Sequence, residues 1–142
     1  GSAAAPAVPR LAKLLRNSHP HMVKAILESL ACIGCNIAPA LPELIWLLYS
    51  TPFELGLNDE PQYFGADSVH YNAMYVLLLS DVAIHEIEPL LIHLLKSPSA
   101  SGRVCALALE ILARKGSEFG VRQAVKYLQA HRWDDSSSAM VI

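Results

Sequence analysis

Ala5-Pro6-Ala7-Val8-Pro9 returns thirty-three positions later as Ala38-Pro39-Ala40-Leu41-Pro42. The residues that follow each copy match as well. Leu11, Leu14 and Leu15 correspond to Leu44, Leu47 and Leu48, and again to Leu91, Leu94 and Leu95 behind Pro89. Offsets of two, five and six from each proline put three leucines on one helical face. A proline at the head of each run suits a first helical turn, where its missing N–H leaves no bond unmade.

A second apolar stripe follows each of these runs. Met22, Ile26, Leu27 and Leu30 align with Val69, Ala73, Met74 and Leu77, and with Val104, Ala108, Leu109 and Leu112. The spacing i, i+4, i+5, i+8 again describes one side of a helix. Gly34 and Gly116 are expected to end the first and third of these helices, whereas Asp81 stands there in the second, so that turn must differ. Each unit is therefore a helical hairpin with an apolar face that it cannot bury alone, and side-by-side copies bury it together.

The P-x-L-x-x-L-L pattern of the first helices, with the small–Leu–x-x-Leu pattern of the second, resembles the HEAT-repeat family, in particular its short lyase-type HEAT-like repeats. The resemblance covers about residues 5–116. It implies an all-α fold, a short right-handed α-solenoid of three stacked hairpins (5–34, 38–81 and 84–116) with a C-terminal capping helix over 118–132. Val121, Ala124, Val125 and Leu128 form the apolar stripe of that last helix. The single repeat domain spans 5–133, with residues 1–4 as a cleavage scar and leader and 134–142 as a tail. Ala139-Met140-Val141-Ile142 has the character of a hydrophobic peptide motif or a frayed end.

The middle unit departs from its neighbours. From Pro42 to Val69 is 27 positions, against 13 from Pro9 to Met22 and 15 from Pro89 to Val104. An insertion over about 51–67 is therefore expected, with loop formers Pro52, Gly56, Asn58, Pro61 and Gly65 and the apolar Phe53, Leu55, Leu57, Tyr63 and Phe64. Seven of the ten aromatic residues lie between Trp46 and Tyr75. Trp46 stands where the other units have Lys13 and His93, and Tyr49 where they have Arg16 and Lys96. Tyr71 replaces Lys24 and Ala106, and Tyr75 replaces Glu28 and Glu110. These positions read as solvent-facing, so the rings either lie under the folded-back insertion or anchor a partner, since Trp and Tyr dominate binding hot spots. The candidate partner-binding residues are Trp46, Tyr49, Phe53, Tyr63, Phe64, His70, Tyr71 and Tyr75.

Composition narrows the function classes. The chain has 142 residues, room for one modest domain, and 17% are charged, against about 25% in an average soluble domain. A net charge of −2 with His neutral gives no general nucleic-acid footprint. Arg103, Arg114, Lys115, Arg122, Lys126 and Arg132 do concentrate positive charge in the C-terminal third, with Trp133 available to stack on a base. No apolar run reaches the roughly 18 residues of a transmembrane helix. Cys32, Cys35 and Cys105 are too few and odd in number for a disulfide framework, which points to a reducing, cytoplasmic setting.

Catalytic patterns are missing: there is no G-x-S-x-G, no Walker-type glycine loop and no H-E-x-x-H. Cys32-x-x-Cys35 falls at a helix end, where two small buried thiols are expected. His19-Pro20-His21 sits in an interhelical turn without the four ligands of a zinc site. No metal, cofactor or enzymatic activity is expected. Glu86 and Glu88 suit a helix N-terminus. The expected function is that of a protein–protein interaction scaffold, presenting a helical surface and the aromatic loop to a protein partner, to neighbouring repeats of a longer array, or to another copy of itself. No membrane or nucleic-acid partner is expected. The alternatives are a lyase-like or glycosylase-like HEAT enzyme module, and nucleic-acid binding through the basic C-terminal third.

Overall fold

Apolar stripes of period 3.6 without β-type alternation give helices throughout. The computed structural model describes residues 2–16, 18–50, 66–97 and 102–131, and among these there are seven α-helices and no strand. They are α1 (Val8–Leu14), α2 (Pro20–Ile33), α3 (Leu41–Tyr49), α4 (Ala66–Leu79), α5 (Ile84–Lys96), α6 (Gly102–Arg114) and α7 (Glu118–His131). Short 3₁₀ segments, Ser2–Ala7 and Ala38–Ala40, lead into α1 and α3.

The prolines behave in two ways. Pro9 and Pro42 lie in the first turns of α1 and α3, as expected. Pro89 lies inside α5, which begins five residues earlier at Ile84. In the first two copies the residues ahead of the proline form a 3₁₀ turn that passes into the α-helix. In the third copy the same stretch is α-helical, and Pro89 is exposed.

Helices pair in sequence, α1 with α2, α3 with α4 and α5 with α6. Between pairs, α4 packs along α2 and α6 along α4, while α1 abuts the Ala38–Ala40 segment, α3 packs on α5 and α5 on α7. Even-numbered and odd-numbered helices therefore form two rows with the leucine stripes between them. Leu44, Leu47, Leu48, Leu91, Leu94 and Leu95 are all buried, as are Ile26, Leu27, Leu30, Val69, Ala73, Met74, Leu77, Val104, Ala108 and Leu112. α7 also packs directly on α6.

Two stripe positions of the first unit differ from expectation. Leu14 is 49% exposed and Met22 is 54% exposed, although their counterparts Leu47, Leu94, Val69 and Val104 are buried. The first unit differs from the other two in having no described hairpin before it. Periodicity assigns a residue to a face, but burial requires a neighbour on that face. Ser29 stands on the same side of α2, exposed, where α4 and α6 bury Val76 and Ile111.

The turns are built as the glycines indicated. Gly34 has φ 71° and closes α2, with its N–H donating to the Leu30 carbonyl; Gly116 has φ 82° behind α6. A Cβ is strained in this left-handed region, so glycine is favoured. The second unit has no glycine at this turn, and Asp81 does other work: its Oδ2 accepts from the Asn36 N–H at 3.3 Å. Lys115 then reaches back from the third unit, its Nζ donating to the carbonyls of Ser80 at 3.0 Å and Val82 at 2.8 Å. The three inter-unit turns are thus tied in series.

Candidate functional site

In a two-row packing the outward faces of paired helices look in opposite directions. The aromatic residues of the middle unit consequently separate into two groups. On α3, Trp46 is half-buried and Tyr49 is 45% exposed, and both meet neighbours in the odd-numbered row. The Arg16 guanidinium lies over the Trp46 ring, 4.5 Å from its centroid, and Arg16 Nε donates to Glu43 Oε2 at 2.5 Å. Tyr49 meets His93 of α5, ring centroids 4.6 Å apart. Arg16 thus joins the end of α1 to the start of α3, and a partly exposed cation–π contact contributes about 0.5–1 kcal/mol.

On α4, Tyr71 and Tyr75 stack with centroids 6.2 Å apart, and the Arg103 guanidinium of α6 sits 4.3 Å from the Tyr71 centroid. Leu79 continues the line one turn further, so that Tyr71, Tyr75 and Leu79 lie at i, i+4 and i+8. Tyr75 is 40% exposed and Leu79 45% exposed. Leu79 belongs to this stripe and was not among the expected residues. Its signal was present in the alignment, where Cys32 and Arg114 hold the equivalent positions of α2 and α6. The flanking helices carry Glu28 and Glu110 level with Tyr75. Phe53, Tyr63 and Phe64, with the insertion that bears them, lie outside the described residues.

His70 has a different role from surface contact. It is half-buried, and its Nε2 lies 3.0 Å from the Leu47 carbonyl oxygen and 3.1 Å from that of Ser50. Both partners accept, so Nε2 carries the hydrogen and donates to the two carbonyls. Helix ends leave their last carbonyls without intrahelical partners, and His70 supplies a donor to the end of α3. It thereby ties the residues on either side of the 51–65 segment. His70→Ala is expected to cost about 1 kcal/mol in urea unfolding, the contribution of an ordinary hydrogen bond. His70→Gln, whose amide can donate in its place, is expected to recover part of that loss.

The other sequence candidates are also accounted for locally. His19 is the N-cap of α2, its Nδ1 accepting from the His21 N–H at 3.3 Å, and the two imidazoles stack. No group of three or more His, Cys, Asp or Glu able to hold a metal ion occurs among the described residues. Cys32 is exposed and Cys35 half-buried, in contrast to the two buried thiols expected, because Cys32 falls on the outer face of the last turn of α2. Glu86 lies in the first turn of α5 as expected. Glu88 instead accepts from the Ser117 hydroxyl, while Ser117 Oγ accepts from the Gly120 N–H at 3.0 Å and so caps α7.

Four of the basic residues of the C-terminal third have partners within the fold, two of them as exposed pairs along one helix. Lys115 binds two carbonyls and Arg103 covers Tyr71, while Arg114 pairs with Glu110 at 3.6 Å and Arg122 with Glu118 at 3.8 Å. No helix among the described residues is long and apolar enough to cross a membrane. No family model, curated protein or solved structure matches the chain.

Proposed function

We propose that this chain is a protein-binding scaffold without catalysis of its own, a short right-handed α-solenoid of HEAT-like hairpins that engages a protein partner through the outer face of α4. The observation that carries the reading is the Tyr71–Tyr75–Leu79 line, exposed at Tyr75 and Leu79 where α2 and α6 present charged or small residues. Aromatic side chains bring large contact area at little conformational cost, which suits them as anchors. The two rows of helices support the solenoid reading, since each hairpin packs on the next through matching stripes. The net charge of −2, with Lys115 held by two backbone carbonyls, favours a protein over a nucleic acid as partner. Three thiols without a disulfide among the described residues suit a reducing, cytoplasmic setting.

The test compares the immobilised chain with a Tyr75→Glu/Leu79→Glu variant in partner capture. Capture is expected to fall at least tenfold, with thermal unfolding nearly unchanged because both side chains already meet water. Equal capture by the two proteins would remove the α4 face from the reading.

A further inference from the structure

We propose that the outer face of the odd-numbered row is a second docking surface, a band of cations and aromatic rings that takes an extended acidic segment of a protein partner. It lies on the side of the molecule opposite the Tyr75–Leu79 face and does not depend on the role given to that face. The band is built by one contact repeated between units. Four residues past its proline each unit carries Lys13, Trp46 or His93, and seven past it Arg16, Tyr49 or Lys96. The seventh position of one unit meets the fourth of the next: Arg16 lies 4.5 Å over the Trp46 ring, and the Tyr49 and His93 rings are 4.6 Å apart. α7 continues the row, because it packs on α5 and buries Ala124 as α3 and α5 bury Leu47 and Leu94. That register puts Gln123 at the fourth position and Lys126 at the seventh. None of these positions is acidic, and all are exposed except Trp46, which is half-buried.

Charge is sorted along these helices. Glu43, Glu86 and Glu118 lie in the first turns of α3, α5 and α7, upstream of the band. Glu88 accepts from the Ser117 hydroxyl. Glu43 also accepts from Arg16, so that the charge of Arg16 is shared, and Lys13, Lys96 and Lys126 supply the remaining positive charge of the band. A lysine in a last turn complements the helix dipole, which accounts for Lys13 and Lys96. Lys126 stands in the middle of α7 and keeps to the same line, and Trp46 and Tyr49 gain nothing from a dipole. Cations with rings between them complement carboxylates with an aromatic side chain between them.

The shape of the band favours an extended occupant. From the fourth position to the seventh is a rise of about 4.5 Å, and the carboxylates of the first turns begin about 5–10 Å upstream of it. A helix, about 10–12 Å across, would overlap that acidic row, whereas an extended chain fits the band alone. Packed helix axes lie about 8–10 Å apart, and three extended residues span about 10 Å. The occupant therefore sets one side chain on each helix at every third residue: a carboxylate at α1, an aromatic ring at α3, and carboxylates at α5 and α7. A nucleic acid, charged at every nucleotide, would lay phosphates on the carboxylate row as well.

The test titrates the full chain, labelled with nitrogen-15, with the peptide Glu-Ser-Gly-Tyr-Ser-Gly-Glu-Ser-Gly-Glu and with its reversed sequence at low ionic strength, because exposed ion pairs are individually weak. At least one of the two is expected to give saturable amide shifts confined to α1, α3, α5 and α7, with the Trp46 indole N–H among them. The shifts should vanish at about 1 M salt, where the Debye length is about 3 Å. Lys96→Glu/Lys126→Glu should bind at least tenfold more weakly with thermal unfolding nearly unchanged, and Lys96→Gln/Lys126→Gln, which avoids the charge reversal, should fall between. Tyr75→Glu/Leu79→Glu, on the opposite face, should bind as the parent chain does, so that failure of this band and failure of the α4 face are read separately. No saturable shift from either peptide, equal binding by both lysine variants, shifts centred on α4 and α6, or tighter binding of an oligothymidylate would each overturn the proposal. So would binding restricted to a Glu54→Gln/Asp59→Asn/Glu60→Gln chain, since the occupant would then be this chain's own acidic segment.

Discussion

Leu47→Ala is expected to lower the free energy of unfolding by about 2–5 kcal/mol, while Leu14→Ala, at the same position of the first unit, changes it by no more than about 0.5 kcal/mol. Leu47 is 2% exposed and Leu14 49% exposed. Truncating Leu47 removes its own transfer free energy and leaves a void between two helices that cannot close fully. Truncating Leu14 removes atoms already in contact with water, at the end of a helix where alanine is at least as good a helix former as leucine. Urea unfolding of both variants checks the pair. Equal losses would mean that the first unit is covered by something in solution, and equal small changes would mean that the leucine stripes do not meet.

Gly120→Ala is expected to destabilise the chain by about 1–3 kcal/mol, the range for overpacking a filled site. A Cβ at Gly120 would stand 2.4 Å from Ser117 Oγ and 2.7 Å from Leu112 Cδ2. The hydroxyl cannot retreat freely, because it caps α7 through the Gly120 N–H and donates to Glu88. Leu112 cannot retreat either, since it is fully buried in the core. The strain should therefore fall on the docking of α7 against α5 and α6. Amide hydrogen exchange should show faster opening of α7 in this variant, with α2 and α4 unchanged. Uniform loss of protection along the chain would show that α7 and the rest unfold as one unit.

How much was legible beforehand differs by feature. The leucines at two, five and six residues past each proline identified the packed faces of α3 and α5, because a 3.6-residue period is a property of the chain alone. The outward placement of Tyr71 and Tyr75 was legible for the same reason, as their positions hold lysine or glutamate in another unit. Leu14 and Met22 were misplaced because burial at their positions depends on a preceding hairpin, which the described residues supply for the middle and third units. Pro89 gave no sign of lying within a helix, since proline fits a first turn equally well, and the preceding residues decide how far back that helix extends. His70 read as a surface residue because nothing local shows that the last carbonyls of α3 come within hydrogen-bond distance of it. Leu79 was overlooked as a site residue although its repeat position was available, because a leucine in an apolar helix carries no signal that it faces out.

The amino-acid sequence by itself determined that this chain makes helical hairpins, which face of each is apolar, and where the pattern is interrupted. Those are consequences of side-chain spacing along a helix, and each is settled within about twenty residues. Tertiary structure alone decided that the aromatics of the middle unit divide between two opposite faces. It alone decided that Asp81, Lys115 and His70 bind backbone groups of other elements, and that Val121 lines a cleft beside the turn between α6 and α7. These depend on which helix lies beside which, and on how closely distant main-chain groups approach, distances that no local spacing specifies.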